Sequence, residues 1–83
     1  MKVGSLASNP NKIRILTLLA RKSIKKEEIA KKSRLPLQTV ENLLLELTAE
    51  NFIRKEGELY GITENGEKAL RTLHEDTGGK RKY

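Results

Sequence analysis

The chain has 83 residues, 36% hydrophobic and 34% charged, with a net charge of +6. This is room for one small globular domain whose marginal core a dimer interface would help, and the balance excludes a disordered chain. The absence of Cys excludes disulfides, thiolate zinc sites and cysteine nucleophiles.

No apolar run approaches the roughly 20 residues of a membrane span. Met1-Lys2-Val3-Gly4-Ser5 lacks the apolar stretch of a signal peptide, so the sequence points to the cytoplasm. The charge is unevenly spread. Residues 1–35 carry ten Lys or Arg against Glu27 and Glu28, whereas residues 36–76 carry four against nine acids. A basic half of this kind suits a polyanionic partner such as a phosphate backbone.

Residues 1–8 read as a flexible N-terminal arm. Asn9-Pro10 then reads as a helix cap followed by proline at the first helical position, opening a helix from Pro10 to about Arg21. Ile13, Ile15, Leu16, Leu19 and Ala20 form its apolar face, and Leu18 falls off that stripe. Ile24, between charged neighbours, is expected as a one-residue strand or a plug over the core. A short helix follows over Lys26–Ser33, without a capping side chain at its start. Ser33-Arg34-Leu35 makes a turn without glycine. Pro36 opens a third helix to about Glu50, which turns Leu37, Val40, Leu43, Leu44 and Leu47 inward. Gln38, Thr39, Asn42, Leu45, Glu46 and Ala49 face outward, with Glu41 at the edge. Asn51 ends the helix in a left-handed cap.

Phe52–Lys55 and Glu58–Ile62 read as strands joined by a Glu56-Gly57 turn, anchored by Phe52, Ile53, Leu59, Tyr60 and Ile62. Thr63 caps a last helix, Glu64 to about Asp76, with Ala69, Leu70 and Leu73 as its apolar stripe and Gly66 weakening its first turn. Thr77-Gly78-Gly79 breaks that helix ahead of the basic Lys80-Arg81-Lys82-Tyr83, so residues 77–83 form a basic C-terminal tail. The fold class is mainly α with a small β-hairpin: a three-helix core, a two-stranded wing and a C-terminal helix, the order a winged helix-turn-helix requires, over residues 9–76.

With that order in hand, three stretches resemble winged helix regulators of the ArsR, MarR and IclR groups. Asn9-Pro10-Asn11-Lys12-Ile13-Arg14-Ile15-Leu16 is similar to an ArsR-type first helix. Leu35-Pro36-Leu37-Gln38-Thr39-Val40-Glu41-Asn42-Leu43-Leu44 is similar to the IclR-type entry to a recognition helix. Phe52-Ile53-Arg54-Lys55-Glu56-Gly57, followed by Tyr60-Gly61-Ile62-Thr63-Glu64-Asn65-Gly66, resembles a wing and the helix start behind it. The resemblance implies a small transcriptional regulator that binds double-stranded DNA sequence-specifically, with the third helix in the major groove. Gln38, Thr39 and Asn42 would then read bases, because amides bond adenine bidentately and Thr offers a methyl or a hydroxyl; Glu41 could accept from cytosine. Lys25, Lys26, Lys31, Lys32 and Arg34 would neutralise phosphates beside the groove, and Arg54 and Lys55 from the wing. About four to six such contacts per chain are expected.

Some residues favour another use. Glu41 and Glu46 on the third helix, and Glu56 and Glu58 at the wing turn, would repel phosphate, while Leu45 and Ala49 form an apolar patch. A winged helix serving as a protein–protein interaction module in a larger complex would carry such a surface. A homodimer is expected, with Leu18, Leu70 and Leu73 as surplus apolar positions. No nucleophile–base pair, metal-ligand spacing or phosphate loop points to an enzyme, a cofactor or a small-molecule effector. His74 beside Glu75 and Asp76 reads as an exposed helix-end histidine rather than a metal ligand.

Overall fold

The computed structural model of the chain describes Leu6 and residues 8–78, with side chains as far as Leu73. Helix α1 (Pro10–Arg21) begins where its cap dictates: Asn9 Oδ1 accepts the Lys12 amide at 3.3 Å, and Pro10 sits where a missing N–H costs nothing. Ile15, Leu16 and Leu19 are buried and Ile13 packs at the core margin. Ala20, expected inside, is exposed. The fourth buried position of the helix is Lys12, which precedes Leu16 by one turn and so lies on the same stripe. Leu6, placed by sequence in a loose arm, is fully buried in the core, and its carbonyl accepts the Asn9 N–H at 2.9 Å.

A two-residue strand β1 (Ile24–Lys25) leads into α2 (Lys26–Ser33), and α3 (Leu37–Ala49) follows. No side chain caps α2, and its C-terminus closes through Arg34, held left-handed at φ 61°. Leu35 N–H then reaches the Ala30 carbonyl. Pro36 stands one residue ahead of α3 rather than within it. Leu37 is therefore at the helix tip and 39% exposed, a departure from its expected place inside. Val40, Leu43, Leu44 and Leu47 are buried as their spacing requires. At the other end Asn51 has φ 67°, Phe52 N–H donates to the Leu47 carbonyl and Asn51 N–H to that of Thr48. This paired closure satisfies the last carbonyls of α3 and aims Phe52 into the core.

Strands β2 (Ile53–Glu56) and β3 (Leu59–Ile62) form the wing, but the sheet has three strands in the order β1-β3-β2. Glu56 pairs with Leu59, so the loop is Gly57-Glu58, one residue later than the sequence suggests. The reason is backbone handedness: the first loop residue needs positive φ, and Gly57 supplies 64°. Strand alternation puts Leu59 opposite Tyr60 and Ile62, so it is exposed rather than an anchor. Helix α4 (Glu64–Gly78) runs past the break expected at Thr77. Thr63 Oγ1 accepts the Gly66 N–H and donates to the Asn51 carbonyl, tying the start of α4 to the end of α3. Ala69, Leu70 and Leu73 are all buried in the chain's own core, so Leu70 and Leu73 are not surplus. Beyond Gly78, and for all of residues 1–8 except Leu6 and Ser8, the chain lies outside the described residues.

Candidate nucleic-acid interface

Helix α3 buries one arc against α1, α2 and β2 and leaves the opposite arc open. At about 100° per residue, Gln38, Asn42, Leu45 and Ala49 share the middle of the open arc, and all four are exposed. Thr39 and Glu41 lie toward the flanks and are half-buried. The two carboxylates that made the helix look hostile to phosphate are engaged. Glu41 accepts from Lys26 Nζ at 2.8 Å, and Glu46 from Lys12 Nζ at 3.0 Å. The hydrogen bond and charge of Glu41 hold the Lys26 ammonium above its usual range, because both favour the charged lysine.

The seven expected phosphate contacts divide by partner. Lys25 pairs with Glu58 at 3.5 Å, Lys26 with Glu41, Lys32 with Glu28 at 4.0 Å and Arg54 with Glu56 at 2.8 Å. Lys55 instead stands over the Tyr60 ring, 5.9 Å from its centre. Among the described residues no carboxylate is within ion-pair distance of Lys31, Arg34 or Lys55. Exposed pairs of this kind contribute only about 0–1 kcal/mol to stability, but each carboxylate offsets part of its cation's attraction for phosphate.

Two supports of this surface escape sequence reading. Lys12, 4% exposed, donates to both Glu46 and Glu50 and joins α1 to the C-terminal half of α3. Burial acts to lower its pKa, but the hydrogen bonds and charges of the two carboxylates outweigh this and raise it. The signal was a lysine in register with Leu16 and Leu19, facing carboxylates four residues apart. Arg14 Nη1 donates to the Ser33 carbonyl at 3.1 Å, fixing the turn between α2 and α3 from α1. Among the described residues no cluster of three metal-ligating side chains occurs, and His74 lies beyond the described side chains. No helix among them is long and apolar enough to cross a membrane.

Comparison with known proteins agrees with this architecture. The chain is similar to the homodimeric winged helix-turn-helix DNA-binding domain of Mb0332 from Mycobacterium bovis, described as a possible ArsR-family transcriptional regulator. Identity is 25% and the TM-score 0.79, over 96% of this chain and 79% of that one. It is also similar to NMB1585, a MarR family regulator from Neisseria meningitidis, at 29% identity and TM-score 0.72, over 93% of this chain and 60% of that one. A Listeria innocua protein of unknown function shares the fold at 21% identity and TM-score 0.75, over 96% and 68% of the two chains. No curated protein matches by sequence. The winged helix-turn-helix family matches residues 12–77, the span from the buried lysine of α1 to the penultimate residue of α4, and the chain belongs to that family.

Proposed function

We propose that the protein is a small cytoplasmic transcriptional regulator that binds double-stranded DNA sequence-specifically as a homodimer, with α3 in the major groove. The observation that carries this reading is the composition of the open arc of α3. Gln38 and Asn42 project from it, and its carboxylates are held at the flanks by Lys26 and Lys12. Amides there can bond adenine edges, while Lys31, Arg34 and Lys55, which have no ion-pair partner among the described residues, would meet phosphates. The likeness to a homodimeric DNA-binding domain supports pairing of two such readers.

The test is a competition titration on a site selected from random duplex and on unselected duplex. Gln38→Ala or Asn42→Ala is expected to cost about 1–3 kcal/mol on the selected site and little on the other. Arg34→Gly is expected to weaken both equally without loss of fold, because glycine suits the left-handed backbone at that position. If the amide variants bind both duplexes as the parent does, α3 is not a base reader. The second reading, a docking module for another protein, draws on Leu45, which is 70% exposed on the same arc.

A further inference from the structure

Leu45 is the most exposed large apolar residue among those described, at 70%. A lone exposed leucine is ordinary; its setting is not. It follows Gln38 by seven residues and Asn42 by three, which places all three on one stripe of α3. Behind it a cleft of about 180 Å³ between α3 and the wing is lined by Leu44, Leu45, Thr48, Lys55 and Tyr60. Lys55 thus stands at the border of an apolar recess, with its ammonium over the Tyr60 ring.

The size of the patch discriminates between occupants. A stable protein partner needs about 800 Å² from each side. The apolar surface of the open arc is only Leu45 and, one turn on, the small Ala49, and it is hemmed by amides at Gln38 and Asn42 and by the ion pairs Lys26–Glu41 and Lys12–Glu46. The other exposed large apolar residues are Leu37 at the helix tip and Leu59 in the wing. An apolar spot this small, bordered by hydrogen-bonding groups and a cation, fits one methyl group on a polyanion. The C5-methyl of thymine is the apolar group that the major groove offers.

Resting on the major-groove reading above, we infer that Leu45 is a specificity-determining residue that takes a thymine methyl, with Lys55 on a neighbouring phosphate. Gln38 and Leu45 are separated by about 10 Å along the helix axis, or about three base steps. The thymine therefore lies within about three base pairs of the adenines that Gln38 and Asn42 contact.

The experiment uses the full chain and a duplex selected from random sequence, with each thymine replaced in turn by uracil, which removes only the methyl. One position in each half-site is expected to lose about fourfold in affinity, equivalent to ~0.8 kcal/mol for one buried carbon at 1.4 kcal/mol per decade. Leu45→Ala is expected to bind the parent site more weakly and to lose all sensitivity to uracil at that position. Leu45 is exposed and alanine favours helix, so the variant keeps its fold, checked by its thermal unfolding curve. The inference is overturned alone if the protein binds its selected duplex while no uracil substitution matters. It is likewise overturned if Leu45→Ala leaves DNA binding intact and abolishes capture of a protein partner. Failure of the native chain to bind any duplex would overturn the major-groove reading and this inference together.

Discussion

A Cβ at Gly66 would collide with the Phe52 carbonyl oxygen and stand 2.7 Å from Ile62 Cγ1. That carbonyl cannot retreat, because it accepts the Thr63 N–H at 3.0 Å, and Thr63 in turn holds both the Gly66 amide and the Asn51 carbonyl. Sequence reading treats Gly66 as a weak point in the first turn of α4. In the fold it is the residue that lets α4 cross the end of α3 at backbone contact. Gly66→Ala gains about 1 kcal/mol of helix propensity and meets an overpacking penalty of about 1–3 kcal/mol, at the upper end because the obstacle is backbone. A lower urea midpoint is therefore expected; a midpoint equal to or above that of the parent would show that the contact can relax.

At the scale of elements, α1 and α3 are joined by a charged contact inside an otherwise apolar seam. The Lys12 pKa is raised in the folded chain, so the stability it contributes is present below its unfolded value of about 10.4 and is lost as pH rises through the folded value. The parent should lose stability above about pH 10 relative to Lys12→Met, which keeps the buried stem and has no proton to lose. Denaturant midpoints of the two proteins followed from pH 8 to 12 check this; parallel curves would mean that the clamp contributes nothing net. The same contact shows where sequence reading ends. The start of α1 and the ends of α2 and α3 are legible because Asn9-Pro10, Ser33-Arg34-Leu35 and Asn51 act on their own neighbours, whereas α4, expected to end near Asp76, runs on to Gly78. The pairing of Lys12 with Glu50 spans 38 residues and that of Lys26 with Glu41 spans 15, so both depend on how the helices approach. For the same reason, periodicity places Gln38 and Asn42 on the open arc but cannot tell that Glu41 and Glu46 are neutralised beside them. Two-residue β1 carries no period of its own, and only the completed sheet reveals its partner.

For the whole molecule, the ion pairs set how strongly binding responds to salt. Counting only Lys31, Arg34 and Lys55, the three of the seven candidate phosphate contacts with no described carboxylate partner, the log–log slope would be about −2.7 per chain and twice that for a dimer. Counting all seven candidates would give about −6 per chain. Most paired cations lie against carboxylates that would remain near the DNA, so a value nearer the shallow limit is expected. Glu41→Gln tests this by freeing Lys26 and removing one repelled charge. It should raise affinity for random duplex and steepen the slope by about 0.9 per chain, or about 1.8 for a dimer. Sedimentation mass at the same protein concentration fixes the number of chains, which the slope alone cannot separate from contacts per chain. Leu70 and Leu73 are occupied in the core, so a dimer, supported by the likeness to the homodimeric domain, would have to use other surfaces. A parent slope near zero would favour the protein-docking reading. A parent slope already near −6 per chain, unchanged by Glu41→Gln, would mean that DNA displaces the carboxylates freely and that the pairs do not restrain the interface.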